Sequence, residues 1–267
     1  MLKNSSGMVF FGTNEPRTNP IDGSGVSLYN ESVFIPSTYL AIAIVGIAAG
    51  AVYTFYGGHA AERRRREMAA LAVRRGLMFT SSFSYDLANN FPGFRPMHTG
   101  QDSYAYNIIK GTLSGRSIYA FDYHYQILTT VDRDGQEHAY HYSFSAVVAC
   151  SSVTLKPLVI RPVGFLDKLG EAAGLDEIEF ESAEFSRRYH VTGTDRRWAY
   201  DVLHPRAIEL LLQGPLLSIE FAYDNVIAYR GLGNKLSIDE IDAAIDVVGG
   251  ILDRLPDYLV RQQQTKP

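Results

Sequence analysis

Polar and apolar positions follow three different patterns along the chain. Residues 1–37 are mostly Asn, Ser, Thr, Gly and Pro, and this composition predicts a flexible tail because so little apolar surface cannot offset the entropy lost on ordering. Thirty consecutive residues, 32–61, carry no formal charge, and the central part, 39–56, is almost entirely apolar. From residue 77 onward apolar residues recur at two-residue and helical spacings, which predicts a folded domain.

The apolar run predicts one transmembrane helix over residues 38–57. A helix rises about 1.5 Å per residue, so this run and its uncharged flanks can cross a hydrocarbon layer of roughly 30 Å. A buried core helix usually shows a polar stripe, which is absent here. A cleavable signal peptide reaches its apolar region soon after a cationic start, whereas here 37 mostly polar residues come first.

The flanking cations predict the orientation of this helix. Lys3 and Arg17 are the only cations before it, whereas a run of arginines follows it directly. Since Lys and Arg remain on the cytoplasmic side, we expect an inner-membrane protein with its N-terminus outside and its C-terminal domain in the cytoplasm. Each cation near an anionic leaflet adds about 1 kcal/mol of attraction, so membrane lipid is an expected partner. The residues expected at the membrane surface are Arg63, Arg64, Arg65 and Arg66.

Two further features belong to the helix and its extension. Gly46 and Gly50 form a GxxxG stripe on which two helices could approach closely, which predicts a homodimer, although a segment rich in Ala and Gly also produces this spacing by chance. Residues 58–76 consist of good helix formers and end at Gly76, which predicts a basic juxtamembrane helix.

Residues 77–259 are expected to form an α+β domain, because runs of strands joined by hairpin turns are followed by helices. The turn Ser114-Gly115 predicts a hairpin, and Asp224-Asn225 predicts another near the end of the domain. The predicted fold is thus antiparallel strands with helices packed on the sheet. The remaining residues, 260–267, are expected to be a disordered tail.

Four helices and one further strand are marked by local signals. A short strand over 157–161 ends at a proline and leads into a helix over 164–173. Asp195 is a predicted helix N-cap, and Pro205 begins the next helix. The last helix begins with a capping box at Ser237, because Glu240 lies three residues further on.

Composition and charge exclude several classes of protein. One cysteine, Cys150, excludes internal disulfide frameworks and zinc ribbons, because both need at least two thiols. The chain has 25 basic and 29 acidic side chains, of which residues 1–76 hold 8 and 5, leaving an acidic domain with 17 and 24. We expect no nucleic-acid partner for such a domain.

One group of polar residues could form a site. In the segments SIYAFDYHY and HAYHYSFSAVV, period-two alternation places the aromatic residues on one strand face and polar residues on the other. If these strands pair, a carboxylate, two imidazoles and hydroxyls gather, which are groups used in metal binding and base-assisted hydrolysis. The alternative is the solvent face of a half-buried sheet with no chemistry. The metal candidates are Asp122, His124 and His141, with Ser143 and Ser145 beside them.

The chain lacks a Gly-rich phosphate loop, HExxH and GxSxG, so neither a catalytic residue nor a cofactor is predicted. By the segments AFDYHY, LVIRPVGFLDKLG, EFESAEFSRRYHV and AYDVLHPRAIELLL, the chain resembles a family of bacterial membrane-anchored proteins known only as a domain of unknown function. The resemblance covers roughly residues 74–255. It implies a membrane anchor followed by an α+β domain, and it supplies no catalytic residues.

Two functions are compatible with the sequence. The first is a non-enzymatic, membrane-tethered domain that binds a protein partner or organises a complex at the bilayer. The second is a membrane-bound hydrolase or metal protein that uses the face with Asp122, His124 and His141.

Overall fold

A computed structural model describes residues 37–128, 138–164, 175–256 and 258. The predicted N-terminal tail, the predicted C-terminal tail and nearly all of the predicted helix over 164–173 lie outside the described residues. The chain divides into two compact units, residues 1–53 and residues 54–267.

Helix α1 (Ser37–Arg75) begins in the first unit and continues into the second. Up to residue 57 its side chains are described only at 42 and 44–47, so most of the predicted span lies outside the described side chains. The described apolar side chains there, Ile42, Ile44, Val45 and Ile47, are between 58% and 73% exposed. Within the described residues, no helix is both long and apolar enough to span a membrane.

The end of α1 is where the sequence predicts it. Gly76 has a φ of +66°, a left-handed conformation that glycine adopts without strain. The amide of Leu77 then donates to the carbonyl of Ala72 at 2.8 Å, which satisfies an otherwise unpaired carbonyl of the last turn.

The second unit is an α+β domain whose described strands form one seven-stranded sheet, and every described ladder is antiparallel. Strand β4 lies in the middle, because it pairs with β3 along its first half, with β6 along its second half and with β7 along both. The strands are β1 (Met78–Thr80), β2 (Gln101–Leu113), β3 (Arg116–Leu128), β4 (Ala139–Pro162), β5 (Asp176–Glu177), β6 (Tyr189–Gly193) and β7 (Ser218–Tyr229).

The predicted hairpin at Ser114-Gly115 is confirmed, whereas the turn at Asp224-Asn225 and the separate strand over 157–161 are wrong predictions. The β2–β3 hairpin turns at Ser114-Gly115, where both residues have positive φ, as a tight hairpin requires. The predicted turn at Asp224-Asn225 is absent, because β7 runs through it as one strand and stays paired with β4. The predicted strand over 157–161 is the end of the 24-residue β4 rather than a separate element.

Four α-helices are described in the second half of the domain. Asp195 caps α3 by accepting a hydrogen bond from the amide of Trp198, and the Ser237–Glu240 capping box begins the last helix, both as predicted. The helices are α2 (Ala183–Arg188), α3 (Arg196–Val202), α4 (Pro205–Gln213) and α5 (Ile238–Asp253).

Both faces of the sheet are covered. On β3, Ile118 and Ala120 belong to the larger apolar cluster, which also contains residues of α1, α3, α4 and α5. The alternate residues Phe121 and Tyr123 belong to a smaller cluster that is covered by residues 87–97. The aromatic face is therefore core, as predicted, but the opposite face is also buried where α1 packs on it.

Candidate functional site

Helix α1 meets the sheet through a buried ion pair. The guanidinium of Arg64 donates to both carboxylate oxygens of Asp122, from Nε at 3.2 Å and from Nη2 at 2.9 Å. The residue Asp122 is fully buried, and the side chain of Arg64 is 16% exposed. Such a two-point contact fixes the position of α1 on the sheet.

Other polar groups complete the contacts of this pair. Asp122 also accepts hydrogen bonds from Asn107 Nδ2 at 3.0 Å and from Ser145 Oγ at 2.7 Å. Arg64 Nη1 donates to the carbonyl oxygen of Leu236 at 2.7 Å, and the amide of Leu236 donates to Ser145 Oγ. We call these five residues the junction, because they link α1, β2, β3, β4 and the segment that leads into α5.

The local sequence explains why Arg64 enters the junction. Arg64, Met68 and Leu71 are spaced at i, i+4 and i+7, so they lie on one stripe of α1, and Met68 and Leu71 are fully buried. Asp122 and Ser145 are directly opposite each other in the β3–β4 register, so their side chains lie on the same sheet face.

The junction keeps Asp122 ionised. Burial on its own raises the pKa of a carboxyl group, but the hydrogen bonds and charge of Arg64, together with Ser145 and Asn107, outweigh it. The pKa of Asp122 therefore lies below its ordinary value.

The other arginines of the basic segment fall into two groups. Arg63 pairs with Glu67, and Arg65 and Arg66 pair with Glu62, all on α1 itself, and their side chains are 50% to 80% exposed. Arg74 and Arg75 instead bind carboxylates of α5, and the hydrogen bonds from Arg75 to Asp246 and Asp242 raise its pKa. Arg64 thus differs from the other three residues expected at the membrane surface, because its guanidinium is bound within the domain.

The predicted metal candidates share one sheet face but do not converge. His141 Nδ1 lies 3.4 Å from His124 Nε2, and the two rings stack. Burial lowers the pKa of His124, and nearby His141 and Lys235 lower it further. Asp122 is fully engaged in the junction, and the part of the chain that the structure describes contains no group of three potential metal ligands. The prediction that this face is solvated is wrong at Asp122, which α1 covers.

The helix-packing candidates are only partly described. At Gly46 the space beside the backbone is open, with no atom within 4 Å of a Cβ position. The surroundings of Gly50 lie outside the described residues.

Next to the junction lies a polar cavity of about 560 Å³. Arg63 and Lys235 bring positive charge to it, and Lys235 Nζ lies 5.1 Å from the ring centroid of Tyr106, a cation–π contact. Glu67 also lines the cavity, so its charge is mixed.

A second cavity, of about 700 Å³, is an apolar groove between α3, α4 and residues 179–182. The ring of Phe180 packs edge-on against Tyr200, at 5.1 Å between centroids, and Tyr200 Oη donates to the carbonyl oxygen of Glu179. Among the residues that the structure describes, no lysine or arginine lines the groove. Its apolar lining includes Phe180, Leu203, Ile208 and Leu212, and its acidic residues are Glu179, Glu181 and Glu209.

Neither the groove nor the junction was predicted from the sequence. In the sequence, the groove is indicated only by Ile208 and Leu212. They lie four residues apart on α4, and both are half-buried in the structure. The signal for the junction was the spacing of Arg64 relative to Met68 and Leu71.

Comparisons with known proteins identify a shared fold. No family model and no curated protein matches the chain. Among solved structures, the chain is similar to the crystal structure of the mycobacterial trehalose monomycolate transport factor A, TtfA. The two share 15% identity with a TM-score of 0.51, and the match covers 76% of this chain and 97% of that one. At this identity the likeness extends to the fold alone.

Proposed function

We propose that this protein is a single-pass membrane protein whose α+β domain serves as a membrane-tethered interaction module, with a partner segment bound in the groove of α3 and α4. The observation that carries the proposal is the groove itself. An apolar cavity of about 700 Å³ is large enough to hold several side chains of a docked segment.

The charge of the groove indicates the chemistry of its partner. Within the described part of the chain, three glutamates and no lysine or arginine line an otherwise apolar surface. Such a surface fits a segment that has apolar anchors and flanking basic residues. A similar fold occurs in a protein described as a transport factor.

The sequence supports the tether. The apolar run over 38–57 lies within α1, and the side chains described there are apolar and exposed. The exposed Arg63, Arg65 and Arg66 follow it, so we assign the N-terminus to the outside and the domain to the cytoplasm. The anchor and the α+β domain together are also what the resemblance to the membrane-anchored family implies.

Site-specific photocrosslinking in the native host tests the groove. A photoreactive phenylalanine analogue at Tyr200, which is 47% exposed in the groove, is expected to give a defined protein adduct. The matched control is Tyr223, which is 62% exposed on β7 away from the groove.

Charge reversal makes this test specific. The adduct at Tyr200 should be lost in Glu181→Lys/Glu209→Lys and retained in Glu184→Lys, because Glu184 is exposed on α2 but does not line the groove. An adduct that appears equally at Tyr223, or that survives the groove reversal, would contradict the proposal.

A further inference from the structure

The chain leaves its last helix beside the groove of α3 and α4. His204 lines the groove, and its Nε2 lies 3.0 Å from the carbonyl oxygen of Arg254, the residue that follows α5. The next residue, Leu255, is part of the larger core cluster. These contacts fix the point from which the following residues emerge, and that point is at the groove.

Tyr258 keeps the chain on α3 beyond that point. Its hydroxyl donates a hydrogen bond to the carboxylate of Asp201, and this bond raises the pKa of the Tyr258 phenol above its ordinary value. Asp201 directly follows Tyr200, whose side chain lines the groove. Tyr258 therefore lies on α3 next to the helix face that forms the groove wall.

The residues after Tyr258 have the chemistry that the groove fits. Residues 259–267, which lie outside the described residues, have the sequence LVRQQQTKP. Leu259 and Val260 are apolar, Arg261 and Lys266 are basic, and the segment contains no acidic residue. Apolar anchors followed by positive charges complement an apolar lining that carries three glutamates.

Segment 259–267 is also long enough to follow the groove. Fully extended, it reaches at most about 30 Å, whereas α4, which forms one wall, is about 14 Å long at about 1.5 Å per residue. A short tether also holds a segment at an effective concentration in about the millimolar range, so that even a weak contact is occupied much of the time. A separate partner molecule has no such advantage.

We propose that segment 259–267 folds back into the groove of its own chain, with its apolar residues on the lining and its basic residues beside the glutamates, and that a partner must displace it. This inference rests on the proposed function, because it states how access to the partner groove is regulated. The partner is then bound more weakly when the segment occupies the groove than when the segment is released.

Disulfide trapping in the purified full chain, in a neutral detergent, tests the contact. In a Cys150→Ala background, Val260→Cys is combined with Ile208→Cys, which lies in the groove on α4. The matched control combines it with Arg206→Cys, which is exposed on the same helix but does not line the groove. We expect the intramolecular disulfide to form several-fold faster with position 208 than with position 206.

Charge reversal makes this test specific. Arg261→Glu/Lys266→Glu should slow trapping at position 208. Adding Glu181→Lys/Glu209→Lys to the same chain should restore it, because the charges are then opposite again. Equal trapping at the two α4 positions, or trapping that does not respond to either reversal, would overturn the inference.

Photocrosslinking at Tyr200 in the native host separates this inference from the proposed function. Arg261→Glu/Lys266→Glu should raise the yield of the partner adduct several-fold. Lys110→Glu/Arg187→Glu should leave it unchanged, because both residues are exposed and neither lines the groove. An adduct of equal yield in wild type and the segment reversal, or an equal rise in the control, would overturn the inference and leave the partner groove intact. Absence of an adduct from every chain would overturn both.

Discussion

Asp122 is a buried carboxylate whose charge depends on one arginine. Replacing it by asparagine leaves the guanidinium of Arg64 largely buried without its counter-charge, and breaking a buried pair in this way costs about 3 to 5 kcal/mol. We expect Asp122→Asn to lower the melting temperature of the full chain in detergent, followed through the buried Trp198.

The control for this variant is Asp253→Asn. Asp253 pairs with Arg116 on the surface, where its side chain is 51% exposed, and such pairs contribute about 0 to 1 kcal/mol. Equal losses in the two variants would contradict the role we give to the junction.

The junction also predicts an acid dependence. The pKa of Asp122 is lowered from 3.8, so the folded state holds its proton less tightly than the unfolded state does. The stabilisation from the pair is therefore complete well above pH 3.8 and is lost as the pH falls through the lowered pKa. The gap in melting temperature between wild type and Asp122→Asn should therefore stay constant from about pH 7 to about pH 5 and shrink as the pH falls below 3.8 towards about pH 3. A gap that stays constant down to about pH 3 would refute the assignment.

At the scale of single residues, the sequence does not show which of the four consecutive arginines is buried. Four consecutive arginines have the same chemistry, and the positive-inside rule treats them alike. Only the helical phase separates them, since Arg64 shares a stripe with Met68 and Leu71 whereas Arg63 does not. The partner Asp122 was recognised as a polar residue on the correct sheet face, but what covers that face depends on a contact across 58 residues.

At the scale of elements, the C-terminal part of α1 belongs to the domain. The sequence placed the boundary at 77, but Met68, Leu71 and Ala72 are fully buried in the larger core cluster. We expect Leu71→Ala to destabilise the domain by about 2 to 5 kcal/mol, because it empties part of a packed core. Val73→Ala, two residues further along and 79% exposed, should change stability by less than about 0.5 kcal/mol. Chemical denaturation of both variants measures this, and similar effects would place α1 outside the core.

Local signals predicted some elements well and others poorly. The Ser237 capping box and the Ser114-Gly115 turn were correct because each is decided within a few neighbouring residues. The Asp224-Asn225 prediction failed because pairing with β4 keeps β7 extended through residues that favour a turn. The register shift beside this point lies mainly in β4, because Cys150 pairs with Asn225 and Leu155 pairs with Tyr223, whose φ is +54°. Tertiary pairing therefore outweighs local turn preference at this point.

At the scale of the whole molecule, the prediction concerns orientation. In a Cys150→Ala background, Ser5→Cys should react with a membrane-impermeant maleimide on intact cells, whereas Gln263→Cys should react only after lysis. Removing Cys150 is a precaution, because burial and the negative charge of Asp224 already raise the pKa of its thiol and slow its reaction. Labelling of both positions on intact cells, or release of the chain from membranes by alkaline carbonate, would contradict the proposed tether.

The residues of the junction lie far apart in the sequence, so the ribosome makes them at different times. Arg64 is made before its partners, because Asp122 follows 58 residues later and Leu236 follows 172 residues later. At about 5 to 20 residues per second, the ribosome needs roughly 10 to 30 seconds to complete that set. Until Asp122 is made, about 3 to 12 seconds later at this rate, Arg64 lacks the counter-charge that it has in the folded domain. Under the proposed membrane tether, Arg64 would help to orient the nascent chain first and would close the folded domain afterwards.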